Sequence, residues 1–368
     1  MRAFVSKTLP AFLAGAAVAL TVQAASAQDK VVNVYNWSDY VGEEVLNEFT
    51  AATGIKVVYD TYDQMETLEA KLYAGGSGYD VIVPTDRNLQ RMIQAGVIMP
   101  LDKSKLPNDV HQWDLIAKRL QTYDPGNEHA ENYMWGTTGL GYNVDKIKER
   151  MPDAPVDSWA MIFDPNVIAK FKDCGVSLLD SPDDLFPAAL AYLGMDPNSK
   201  KEDDLKKAAD VVRAIVPSVL KFDSSDYINK LANGDICLAV GYSGDVLQAR
   251  DRADEAGNGV TVAYAIPKEG ALMWFDSMAI PADAPHPEEA LAFINFMMDP
   301  KIAAENSNYV YYANGNKDSQ SLLNEDVIKD PAIYPPEAVM NKLFTTTSND
   351  QATQRIVTRL WTSVKTGQ

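Results

Sequence analysis

Residues 35–40, YNWSDY, place Trp37, Ser38, Asp39 and two tyrosines directly after the apolar run Val31-Val32-Asn33-Val34. A segment that only reverses the chain favours Gly, Pro, Asn and Asp, so flat rings beside a carboxylate ask for another reason. Related chemistry, in rings, hydroxyls or carboxylates, recurs where other apolar runs end: Thr85 and Asp86; Asp180, Asp183 and Asp184; Tyr242, Ser243 and Asp245; Trp274 and Asp276; Tyr311 and Tyr312. Carboxylates repel anions, and ring faces attract organic cations, which also gain charge-assisted hydrogen bonds to carboxylates. An organic cation is the ligand chemistry these residues fit. Each has a plainer reading. A lone Asp in a chain with 51 acidic residues is usually solvated. Asp183 and Asp184 suit a helix N-terminus, and Trp274 with Phe275 suits a core strand.

Enzyme signatures are incomplete. GYSGD (241–245) lacks the second glycine of a nucleophile elbow. GGSG (75–78) has no following Gly-Lys-Ser/Thr, so it is no phosphate loop, and GLGYN (139–143) lacks the third glycine of a dinucleotide fingerprint. A carboxylate pair serving a secreted glycoside hydrolase is the remaining enzymatic alternative. His111, His129 and His286 are scattered without metal-ligand spacing, and neither a metal nor a cofactor is expected.

The elements that must position these residues alternate. Strand patterns cover 31–36, 55–60 and 79–84, separated by helical spacing at 41–52 and from Met65 to Leu72, with a helix through Leu89 to Gly96. A second set has strands at 176–180 and 235–240 with helices near 184–193, 203–216 and 224–233. Strands at 260–267 and 271–281 and helices at 287–298 and 350–365 follow. Near-continuous apolar strands alternating with helices predict α/β lobes with mostly parallel sheets. Ligands of open α/β sheets lie beyond the carboxyl ends of the strands, where the ring–carboxylate pairs fall.

Arg2 and Lys7, an apolar stretch from Ala11 to Val22 and Ala25-Ser26-Ala27 make a secretory signal peptide over residues 1–27. The formal charge of −18 becomes two units more negative without Arg2 and Lys7. That surface disfavours nucleic acid and anionic lipid as partners, and no later segment is apolar enough for membrane insertion. In an exported chain the two cysteines, Cys174 and Cys237, are expected to pair; one precedes the strand at 176–180 and the other lies in the strand at 235–240.

Over essentially the whole mature length the chain resembles the periplasmic polyamine-binding proteins of bacterial ABC importers, and among them the putrescine binders. YNWSDY, TGIKVVYD, YDVIVP, LDKSKLP, WGTTGLGYNVDK, YINKLANGDICLAVG, IPKEGA, YYANGNK and RLWTSVKTG carry the resemblance. It implies a two-lobed periplasmic binding protein fold of the class II type, each lobe α/β, with the ligand cleft between them. The lobes are expected at 28–137 with 258–306, and at 138–257 with 307–368. It further implies a periplasmic monomer, no catalysis, and a membrane permease as partner. The family's ligand-binding positions fall on Trp37, Ser38, Asp39, Tyr40, Thr85, Asp184, Ser225, Tyr242, Asp245, Trp274, Asp276 and Tyr312. Four depart from the putrescine pattern: Thr85 for Ser, Asp184 for Glu, Tyr242 for Trp and Trp274 for Phe. Spermidine, cadaverine and agmatine therefore stand beside putrescine. Asp39 with Ser38 is expected to hold one end of the ligand, and Asp245 with Asp276 the other.

Overall fold

The computed structural model describes Met1, Ala3 and residues 30–367; apart from those first two residues, the expected leader lies outside the described residues. Among the described residues eleven strands are hydrogen-bonded together: β1 (Val31–Trp37), β2 (Lys56–Tyr62), β3 (Val81–Ile82), β4 (Ile98–Met99), β5 (Ala130–Asn143), β6 (Val176–Leu178), β7 (Lys221–Phe222), β8 (Leu238–Tyr242), β9 (Val262–Ala265), β10 (Met273–Pro281) and β11 (Ala313–Asn314). The order is β2-β1-β3-β10-β5-β8-β6-β7, with β4 on β10, and β9 and β11 on β5.

Each lobe has a parallel core, β2-β1-β3 in the first and β8-β6-β7 in the second. Antiparallel β5 joins them. Its first half pairs with β10, Met273 opposite Thr137, and its second half with β8, Thr138 opposite Tyr242. One strand thus passes from lobe to lobe between Thr137 and Thr138. Glycines 136, 139 and 141 hide this strand in the sequence, because glycine weakens a strand pattern. Two of the expected lobe segments lie elsewhere. β9 pairs with Leu140–Asn143 and so belongs to the second sheet. Most of the chain from 313 to 343 packs around Trp135, Met273 and Phe275, while Tyr312 joins the first-lobe cluster; the last helix, Gln351–Thr366, returns to the second lobe through Val357, Leu360 and Trp361.

Apolar burial explains the division. Val32, Phe49, Val81 and Ile294 centre one cluster, and Phe171, Leu185, Val212 and Leu238 another. Helix Asp86–Ala95 follows β3 and stops at Gly96, whose φ of 65° suits a left-handed cap. Cys174 and Cys237 form a disulfide at the start of the β6–β8 pairing, where Val176 lies opposite Leu238. No helix among the described residues is long and apolar enough to cross a membrane.

Candidate functional site

Three carboxylates owe their positions to helices that begin where a strand ends. Asp86 opens the helix after β3. Asp184 is in the first turn of Pro182–Tyr192 after β6, and Asp245 in the first turn of Ser243–Ala256 directly after β8. Exposed N–H groups and the helix dipole favour negative charge there. Asp276 comes from the middle of buried β10, beside a register shift between Asp276 and Ser277.

All twelve expected side chains line one cavity of about 110 Å³ between the lobes, together with Tyr62, Glu66, Arg87, Asn88, Asp180 and Asp183. Trp274 forms the floor. Its ring stands edge-on to Tyr242 at 5.6 Å and Tyr312 at 5.4 Å, and Tyr40 meets Tyr312 at 5.1 Å. Two glycines make this packing possible. A Cβ at Gly136 would come within 2.7 Å of the Trp274 ring, and one at Gly244 would collide with the ring of Tyr312. Trp37 closes another side, tilted on Tyr62 and donating from Nε1 to the Val83 carbonyl at 3.0 Å.

The carboxylates differ in how far the protein already satisfies them. Asp276 is buried and accepts from the Tyr40 hydroxyl at 2.8 Å, but its Oδ1 is buried with no partner among the described residues. Burial outweighs the hydroxyls of Thr85 and Tyr40 and pushes its pKa to about 7. Asp245 accepts from Tyr312 at 2.6 Å and Tyr227 at 2.7 Å; burial still raises it to about 6. Asp184 accepts from Thr138 at 2.8 Å, Ser181 at 2.6 Å and more weakly Tyr242 at 3.4 Å. Desolvation raises its pKa against the pull of Arg87 and the hydroxyls of Ser181 and Thr138.

Asp39 departs from its expected role. Its side chain is 47% exposed and bound to Arg252 Nη2 at 2.9 Å, and its charge acts on Asp245. It therefore stands at the rim on the Asp245 side instead of the opposite end. Its φ of 54° is a left-handed conformation that Asp tolerates better than most residues. Ser38 is held at β2 by its N–H on the Tyr62 carbonyl at 3.0 Å. Ser225 lines the cavity from the turn before helix Tyr227–Asn233.

Two contributors escaped sequence reasoning. Tyr227 is fully buried and supplies a hydrogen bond to Asp245; its place in the first turn of a helix gave no sign of that. Arg87 is only 8% exposed, a cation inside an otherwise acidic cavity. It donates from Nη1 to the Asp183 carbonyl at 2.9 Å and to Thr346 Oγ1 at 2.7 Å. The arrangement can bind a small cationic molecule with apolar middle and charged ends, because rings cover methylenes while buried carboxylates take ammonium donors.

The family described as bacterial extracellular solute-binding protein matches residues 44–335. The putrescine-binding periplasmic protein SpuD of Pseudomonas aeruginosa is 53% identical over 363 residues, 98% of each chain. The putrescine-binding periplasmic protein PotF of Escherichia coli is 48% identical over 370 residues, 100% of each chain. The solved spermidine/putrescine ABC transporter substrate-binding protein PotD from Streptococcus pneumoniae is similar in fold, with a TM-score of 0.75 at 28% identity, over 92% of this chain and 99% of that one.

Proposed function

The chain belongs to the bacterial extracellular solute-binding protein family, and on that premise we propose that it captures a polyamine, putrescine first, in the periplasm and delivers it to an ABC importer. One observation carries the reading. Asp276 keeps a buried, unpartnered oxygen near a second, half-buried carboxylate, Asp245, among the rings of Trp274, Tyr40 and Tyr312. Burying such a group without a partner is costly. An ammonium supplies the missing donor and the missing charge together.

Putrescine places two ammoniums at the ends of four methylenes. One takes Asp276 Oδ1 and Asp245. The methylenes lie along Trp274, Trp37 and Tyr242. The second reaches the Ser38, Ser225 and Asp184 side of the cavity, where hydroxyls and bridging water serve as acceptors. Burying a dication costs several kcal/mol unless carboxylates compensate it, which explains the acidic lining. Binding uses no bond-breaking step, so the protein works as a carrier without catalysis. Closure of the lobes follows because the contacts come from both sides of Thr137–Thr138 and a ligand shifts a two-state equilibrium by its difference in contacts.

Isothermal titration of ligand-free protein with putrescine, cadaverine, agmatine and spermidine tests this. We expect one site per chain, with putrescine binding among the tightest. Absence of binding to every amine in the panel would overturn the proposal, and hydrolysis of a glycoside at Asp245 and Asp276 would replace it.

A further inference from the structure

The cavity has unlike ends, and Arg87 makes them so. At the Asp245–Asp276 end the cation that acts on Asp245 is Arg252, which lies outside the lining and is paired with Asp39 at 2.9 Å. At the other end, Arg87 acts on Asp183, Asp86 and Asp184, and Asp184 has both oxygens already bonded to protein hydroxyls. Arg87 and Asp183 also line a second, smaller cavity of about 30 Å³. They are therefore the partition between the two spaces. Behind that partition lie two further cations. The second cavity contains Arg91 and Lys200 beside the hydroxyls of Thr346, Thr347 and Ser348. Arg91 is paired with Glu69 at 2.7 Å. Lys200 donates to the Thr347 carbonyl at 2.7 Å, and its pKa is lowered by burial and by Arg87.

We propose that Arg87, backed by Lys200 and Arg91, is a cationic end wall that limits the ligand to two ammoniums and so makes the chain select diamines over triamines. A diamine anchored at Asp276 ends on the Asp184 side, before the guanidinium. A triamine anchored in the same way carries a further aminopropyl arm. Its third ammonium must either meet Arg87 or displace it and enter a space already holding two cations. Like charges brought together in a poorly solvated site are a means of rejecting a wrong ligand. Arg87 is fixed against yielding, because its Nη1 spans the cleft to the Asp183 carbonyl and Thr346.

This inference rests on the polyamine reading and is tested separately from it. The dissociation constants of putrescine and spermidine are measured by calorimetry for the parent chain, Arg87→Met, Arg87→Lys and Lys200→Met. The parent is expected to favour putrescine. Arg87→Met, which keeps length and loses charge, should shift the ratio toward spermidine by about tenfold or more, the effect of removing one close like charge. Arg87→Lys should keep the parent ratio within about threefold, less than 1 kcal/mol. Lys200→Met should shift it in the same direction as Arg87→Met but less, and it reports on the wall even if Arg87→Met fails to fold. If both amines bind and the ratio is the same in the parent, Arg87→Met and Lys200→Met, the end wall is refuted while the polyamine reading stands. If neither amine binds the parent chain, the polyamine reading itself fails.

Discussion

Acidification should release the ligand, and the structure sets the scale. Without ligand, burial holds Asp276 at about 7 and Asp245 at about 6. An ammonium between them favours their charged forms, so binding requires both to ionise. At pH 5.5 that ionisation costs about 2 kcal/mol for Asp276 and about 0.8 kcal/mol for Asp245, at 1.36 kcal/mol per pKa unit. At pH 8 the cost is close to nil. Affinity for putrescine should therefore be weaker at pH 5.5 than at pH 8 by on the order of a hundredfold. The amines keep their charge throughout, since such groups titrate near 10. The same account predicts release of about one proton per ligand bound near pH 6.5. Titration calorimetry in two buffers of different ionisation enthalpy reads both quantities. Affinity independent of pH over this range, or proton uptake on binding, would refute the reasoning that these two carboxylates hold the ammonium.

Further outcomes follow from the same geometry. Asp276→Asn should weaken putrescine binding by about 2–5 kcal/mol, the usual cost of breaking a buried charge pair, whereas Asp109→Asn, whose side chain is 44% exposed, should leave calorimetric affinity nearly unchanged. In the ligand-free protein the raised Asp276 and Asp245 mean that the folded state holds protons the unfolded chain has lost. Their contribution to stability therefore falls as pH rises from about 4 to about 7, and the rise in Tm caused by putrescine should be larger at pH 8 than at pH 5.5. Thiol titration of denatured, unreduced protein should find no free thiol. Reduction of the Cys174–Cys237 bridge, which closes a separation of 63 residues, should cost roughly 4 kcal/mol by chain-entropy arguments, read as a lower denaturation midpoint. Gly244→Ala should displace Tyr312 from Asp245 and weaken binding more than it lowers Tm; equal binding with a lowered Tm would remove Tyr312 from the account.

The elements with strong apolar periodicity were legible in the sequence. β1, β2, β10 and the helices around Leu89 and Leu185 fall within a few residues of their expected places. The twelve residues expected at the site share one cavity; most come from strand ends, while Trp274 and Asp276 lie within β10 and Tyr312 just after the helix Pro300–Val310. β5 was not legible. Its glycines exist for Trp274, Val246 and Tyr264, whose atoms come too close for a Cβ at 136, 141 and 139, and that requirement is tertiary. The lobe boundaries were misplaced for a related reason: whether 262–265 joins the first or second sheet depends on which half of β5 it meets. Asp39 was legible as a cavity residue but not as the partner of Arg252, which lies 213 positions away. Arg87 was missed because an arginine in the first turn of a helix usually faces solvent, and the groups that hold it inside, the Asp183 carbonyl and Thr346, are distant in the sequence.

The most direct test of the central claim is a crystal structure of the protein soaked or grown with putrescine. The account predicts one ammonium nitrogen about 2.7–2.9 Å from Asp276 Oδ1, the range of charge-assisted hydrogen bonds, with a second contact to Asp245 and the methylenes against Trp274. Putrescine bound in the cavity with neither nitrogen in reach of Asp276 would contradict it.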